Sequence, residues 1–205
     1  MNFLAHLFLS DENPEIMVGN FIADMVKGNS FLGYPSTIGK GIRIHRNIDK
    51  FTDNHPIVQL SKKRLRPNYR KYAGVIVDMF YDHLLAVDWH TYSPIPLASF
   101  AEKAYKTLDS YQSLMPIRSQ RTLFYMQKGN WLVNYAELSG IGQALGGLSN
   151  RTRYESGIEQ SINDLRSDYS AYQNEFLSLK MTTGQINIFE QYNLKKEYAK
   201  EVQQA

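Results

Sequence analysis

The chain has 205 residues, a net charge of +3 and no cysteine, which suits one globular domain and excludes disulfides and thiolate chemistry; any metal must be held by His, Asp, Glu or carbonyl groups. A 43% hydrophobic share beside 21% charged residues of both signs excludes a disordered chain. The charge is too small to imply nucleic acid, no apolar run approaches the roughly 20 residues of a membrane span, and the segment from Met1 to Leu9 has no basic stretch and is interrupted by His6, as expected of a cytoplasmic protein.

Helical periodicity dominates, so the expected fold is all-α, one helical bundle over 1–205 with a polar tail from about residue 184. Asn13-Pro14 reads as an N-cap and first helical residue of a helix carrying Ile16, Met17, Phe21 and Val26, closed by Lys27-Gly28. A second helix from about Ser36 carries Ile42, Ile44, Ile48 and Phe51, places His45 and Asp49 one turn apart, and meets a stop at Asp53-Asn54-His55-Pro56. A short helix follows Pro56 and is expected to end before Pro67. The stretch from Tyr69 to about Trp89 is apolar all round, as in the middle of a bundle, and Asp78, Asp82 and His83 lie inside it. Further helices are expected at about 97–113, 117–128 and 131–145, with a break at Gly146-Gly147. One last helix carries an apolar stripe from Tyr154 through Ile158, Ile162, Leu165, Tyr169, Tyr172 and Phe176 to Leu179, read as packing.

The chemistry-bearing signal is the set of ionisable groups on apolar helical segments: His6, Asp24, His45, Asp49, Asp78, Asp82 and His83. Asp78 and Asp82 one turn apart would bury two like charges unless a cation compensates them, or unless each caps a loop or pairs with an arginine. His83 points roughly 100° away from Asp82 on an ideal helix. Facing helices of a bundle build metal sites from such side chains, and histidine with carboxylate suits Mn, Fe, Zn or Mg. Arg43 and Arg46 offer planar forks for phosphate oxygens, or ion pairs with Asp49 or Asp53 on their own helix. Lys62, Lys63, Arg64, Arg66, Arg70 and Lys71 form a basic run that is either a solvated face or a docking patch for an acidic partner. No phosphate-cradling, dinucleotide-binding or nucleophile-elbow motif is present.

Four blocks carry a resemblance: Met1-Asn2-Phe3-Leu4-Ala5-His6-Leu7, Gly19-Asn20-Phe21-Ile22-Ala23-Asp24, the run from Gly41-Ile42-Arg43-Ile44-His45-Arg46 through Asn47-Ile48-Asp49-Lys50-Phe51-Thr52-Asp53, and Asp78-Met79-Phe80-Tyr81-Asp82-His83-Leu84-Leu85-Ala86. In this order they resemble the acyl carrier protein phosphodiesterases, a divergent branch of the HD-domain phosphohydrolases. The resemblance implies an all-helical, manganese-dependent enzyme that removes 4′-phosphopantetheine from the serine of holo acyl carrier protein, with other divalent metals such as Mg, Fe or Zn compatible. It implies His6, Asp24, His45, Asp78, Asp82 and His83 as metal ligands, Asp24, Arg43, Arg46 and Asp49 as catalytic groups, and the run from Lys62 to Lys71 as the face for an acidic carrier protein. The adjacent pair reads Asp82-His83 here rather than the usual His-Asp of HD domains, which leaves individual ligand roles open. An HD-type hydrolase of a nucleotide or other small phosphoester, and a non-catalytic helical binding module, are the alternative expectations.

Overall fold

The computed structural model describes residues 2–10, 13–152 and 155–184, with side chains as far as Leu179. Among the described residues there are helices and turns but no strand, and no helix is long and apolar enough to cross a membrane. The α-helices are α1 (Phe3–Phe8), α2 (Pro14–Ile22), α3 (Ser36–Asn54), α4 (Pro56–Tyr69), α5 (Ala73–Val87), α6 (Leu97–Ser110), α7 (Ile117–Lys128), α8 (Trp131–Asn134), α9 (Leu138–Ser149), α10 (Ser161–Ser167) and α11 (Tyr169–Gly184). The expected tail from about residue 184 and Tyr154 of the expected stripe lie outside the described residues.

α2 starts where the sequence says it should: the Asn13 side chain accepts from the Glu15 and Ile16 amides, and Pro14 needs no partner at the first position. The helix ends earlier than expected, at Ile22, and a single 3-10 turn, Ala23–Met25, turns Asp24 out of the helical row. α2 packs against α3 at a crossing formed by two glycines. A Cβ on Gly19 would meet the Ile38 carbonyl oxygen at 2.1 Å, and one on Gly41 would meet that of Ile16 at 2.4 Å. Only a pair of glycines allows this approach, and it brings the end of α2 beside His45, one turn beyond Gly41.

Central to the bundle is α5, whose Ile76, Val77 and Phe80 are fully buried in a core that runs from Leu4 to Leu179. A smaller cluster of Ile16, Ile44 and Ile48, with Leu9 against it, holds α3 in the register that turns His45 and Asp49 toward α1.

Several expected boundaries differ. α4 runs through Pro67 to Tyr69; the proline falls in its last turns, where buried Leu65 and Tyr69 and the clamp of Arg64 on Glu175 hold the helix despite one missing backbone bond, and the chain then breaks at Arg70 with φ of 48°. Tyr69 therefore belongs to α4, and α5 begins at Ala73. Gly146 and Gly147 do not break the chain: α9 continues through them to Ser149, because Ile141 and Leu145 are buried and anchor it. The region expected as 131–145 is instead two helices, α8 and α9, and the last stripe is divided at Asp168 into α10 and α11, whose apolar residues still face one core.

Candidate metal centre

Three elements deliver four polar side chains to one place. α3 supplies His45 and Asp49 one turn apart, α1 supplies His6, and the 3-10 turn after α2 supplies Asp24. His6 Nε2 lies 3.0 Å from Asp49 Oδ1, His45 Nε2 lies 3.1 Å from Asp49 Oδ2 and 3.3 Å from Asp24 Oδ1, and the two imidazoles stack with centroids 3.8 Å apart. His6, His45 and Asp49 each offer a donor atom within 4.8 Å of the others. Both histidines are buried, while the Asp24 side chain is 68% exposed and opens the cluster to solvent.

His6 is fixed from behind. The Asn20 amide donates to Ser10 Oγ at 2.8 Å, and that hydroxyl donates to the His6 carbonyl at 2.7 Å. Burial lowers the His6 imidazole to about 4, against the hydrogen bond it donates to Asp49. Burial acts the same way on His45, but hydrogen bonds to Asp24 and Asp49 overcome it and push this imidazole up to about 9. Asp24 is held below the usual carboxylate range chiefly by its hydrogen bond to His45. Asp49 is held far below it, since the two histidines outweigh its burial. At neutral pH the cluster thus carries two carboxylates, one imidazolium and one neutral imidazole, a net negative charge that favours a cation in place of the His45 proton.

Beside the cluster lies a cavity of about 380 Å3, and Asp24 lines both. A family profile described as acyl carrier protein phosphodiesterase matches residues 1–182. The chain belongs to the acyl carrier protein phosphodiesterase family. The acyl carrier protein phosphodiesterase of Enterobacter sp. (strain 638) is 34% identical over 177 residues, which cover 86% of this chain and 92% of the relative. That of Photorhabdus laumondii subsp. laumondii is 32% identical over 173 residues, covering 84% and 87%, and that of Yersinia enterocolitica is 33% identical over 177 residues, covering 86% and 92%. No solved structure matches the chain at a significant level.

In this member of the acyl carrier protein phosphodiesterase family Asp78, Asp82 and His83 are outside the set of convergent donors. Asp82, fully buried, accepts from the backbone amides of Leu4 at 2.8 Å and Ala5 at 3.1 Å, so it caps the first turn of α1 from α5. Burial pushes its carboxyl up to about 7 although these amides pull it down. His83 Nδ1 donates to the Tyr135 carbonyl at 2.7 Å and its Nε2 lies 3.2 Å from the Tyr169 hydroxyl; burial lowers its pKa, leaving a neutral ring tied between the residue that follows α8 and the start of α11. Asp78, half-buried, is raised by burial, with the negative charges of Asp49 and Asp53 adding to it, and stands outside the set of three convergent donors.

Arg46 donates to the carbonyls of Gly28 and Val26 at 2.8 and 2.7 Å and lies over Phe31, so it fastens the loop that follows Asp24; the Arg43 guanidinium lies 5.9 Å from the centroid of the same ring. His55 is the N-cap of α4, its Nδ1 accepting from the Ile57 amide. Within the basic run, Lys62 is buried against Asp53 at 2.6 Å and Arg64 is bound to Glu175 at 2.7 Å, whereas Lys63, Arg66, Arg70 and Lys71 are exposed. Sequence reasoning passed over Ser10 and the cavity walls. Ser10 carries no charge and stands alone; the one trace of the cavity is the spacing of Gly140, Ala144 and Gly147 along one helix face.

Proposed function

We propose that this protein is a metal-dependent phosphodiesterase that hydrolyses the link between 4′-phosphopantetheine and the serine of holo acyl carrier protein. The observation that carries this reading is the convergence of His6, His45 and Asp49 beside Asp24, the one of the four that also lines the neighbouring cavity, in a chain whose relatives bear that name. His6, His45 and Asp49 would hold the cation. The donor set fits: nitrogen and carboxylate oxygen without sulfur suit manganese, and equally Mg, Fe or Zn, and His45 Nδ1 is buried without a hydrogen-bond partner, so Nε2 alone is engaged by the aspartates. A divalent cation there supplies Lewis-acid charge toward the phosphoryl oxygens and makes a nearby water more acidic.

The chain's own groups do the rest. Asp24, open to solvent beside His45 Nε2 and released from it once a cation takes the place of the His45 proton, would orient the attacking water and accept its proton. The water oxygen bonds to phosphorus, the phosphorus to serine-oxygen bond breaks, and the serine oxygen recovers a proton, giving apo carrier and 4′-phosphopantetheine. Arg43, three residues before Arg46 on α3, would serve as the cation for phosphate, while Arg46 holds the loop that follows Asp24. The exposed Lys63, Arg66, Arg70 and Lys71 steer the acidic carrier, a role that Lys62 and Arg64, consumed in ion pairs, take no part in.

The test is the intact mass of holo acyl carrier protein after incubation with metal-stripped and with manganese-restored protein. Loss of the phosphopantetheine mass with manganese alone, and none with Asp24→Ala, is the expected result. An unchanged carrier at full metal occupancy, with turnover of free nucleotides or small phosphoesters instead, would overturn the carrier reading.

A further inference from the structure

The cavity beside the metal centre is built in a way that packing alone does not require. Its walls come from α5 through Val75 and Met79, from Trp131 and Tyr135, and from one face of α9 through Gly140, Ala144 and Gly147. Gly140 is demanded by close approach, since a Cβ there would meet the Asn134 carbonyl oxygen at 2.0 Å. Gly147 is not: a Cβ there would meet nothing within 4 Å. The open space at Gly147 belongs to the cavity, whereas the equal space at Gly146 does not line it. At one end the cavity meets Asp24, which also lines the recess holding His6 and His45.

We propose that this cavity receives the pantetheine arm of the substrate, with the phosphate at its Asp24 end; the inference rests on the reading of the site as one that releases phosphopantetheine. The volume of about 380 Å3 falls within the roughly 300–1,000 Å3 of pockets that enclose organic ligands. The chemistry of the walls matches an arm made of methyl and methylene groups punctuated by two amides. Val75, Met79 and Trp131 offer apolar surface, and the carboxamides of Asn134 and Gln143 offer partners for amide groups. Continuity through Asp24 supplies the direction, since the phosphate that terminates the arm must lie at the metal centre for its serine ester to be cut.

The test uses Gly147→Leu, which fills the cavity, against Gly146→Leu, its neighbour on α9, which does not line the cavity and whose Cβ also meets nothing within 4 Å. Both changes replace glycine by a better helix former, so neither is expected to unfold α9. With manganese present, Gly147→Leu should lower kcat/KM for holo acyl carrier protein by about tenfold or more, the scale of a few misplaced methylenes. It should leave hydrolysis of bis(p-nitrophenyl) phosphate, which has no arm, unchanged, and should abolish calorimetric binding of free pantetheine. Gly146→Leu should behave as the unmodified protein in all three assays. Cleavage of holo carrier by Gly147→Leu at the unmodified rate would overturn the proposal. If the unmodified protein releases nothing from any holo carrier, the functional reading fails, and pantetheine binding then decides the cavity alone: binding lost only in Gly147→Leu sustains it, and no binding to the unmodified protein overturns it.

Discussion

On α3, His45 and Asp49 turn their side chains toward each other and toward His6 and Asp24, whereas on α5 Asp82 and His83 turn theirs toward the backbone of other helices. Both pairs combine the same two residue types, and both lie on helices that contribute to the core. The difference lies in what answers each polar atom. Backbone amides satisfy Asp82, and a carbonyl and a tyrosine hydroxyl satisfy His83, tying α5 to α1, to the end of α8 and to α11, so these polar groups serve architecture. Around His45 the partners are other ionisable side chains, one of them open to solvent, and such a set can exchange a proton for a cation or a substrate. Burial of a charged residue on an apolar helix therefore points to a constraint, and only the identity of the partner separates a cap from a site.

The sharpest way to break this comparison is to remove one member from each region. Asp49→Asn should lower manganese affinity and kcat/KM by about 100-fold or more, since it removes the group bonded to both histidines. Asp82→Ala should leave manganese affinity near that of the unmodified protein and instead destabilise the fold by about 1–3 kcal/mol, because two buried amides lose their acceptor. Manganese titration and urea unfolding of both variants check this; a large loss of metal affinity in Asp82→Ala would merge the two regions into one site.

A second expectation concerns position rather than chemistry. Gly41→Ala drives a Cβ into the Ile16 carbonyl and the Gly19 Cα, forcing α2 away from α3 and Asp24 away from His45. Overpacking of this kind costs about 1–3 kcal/mol, seen as a lowered unfolding midpoint, and activity should fall more than stability alone explains.

The pH dependence of metal-stripped protein sharpens the contrast further. His45 is raised to about 9, so its contribution is complete below its ordinary 6.5 and is lost as pH rises from 6.5 to 9. His6 is lowered to about 4, so the folded protein keeps it neutral while the unfolded chain protonates, and stability is lost as pH falls from 6.5 to 4. Because the contribution of Asp82, raised to about 7, is lost as pH rises toward 7 and opposes the His6 effect, the two histidines are read by difference. Relative to the unmodified stripped protein, the unfolding midpoint should fall less from pH 6.5 to 9 in His45→Asn and less from pH 6.5 to 4 in His6→Asn. The smallest effect is expected at the surface: Lys63→Glu with Arg66→Glu should raise KM for the carrier a fewfold at low salt, with kcat unchanged and the difference fading as salt is added.

Much of the frame was legible in the sequence. The Asn13-Pro14 start, the run of α3 from Ser36 to its stop before Pro56, and α7 over 117–128 follow from caps, prolines and period. Where the reading failed, tertiary contacts overrode local signals: Pro67 within α4, Gly146 and Gly147 within α9, and the division at Asp168. The set of His6, Asp24, His45 and Asp49 was legible as part of a larger group. That Asp82 and His83 lie apart from it was not, because a long-range bond from Asp82 to the amides of Leu4 and Ala5 leaves no mark on spacing along α5. The Gly19 and Gly41 crossing was equally hidden, since each glycine reads locally as a weak point in a helix and only their meeting explains both.

The most direct measurement is kcat/KM for release of phosphopantetheine from holo acyl carrier protein, with saturating manganese, for Asp49→Asn and Asp82→Asn side by side. The expected result is loss of about 100-fold or more in Asp49→Asn and a rate within a fewfold of the unmodified protein in Asp82→Asn at a temperature where both are folded. Full activity in Asp49→Asn would contradict the assignment of the catalytic centre to the α1, α2 and α3 cluster.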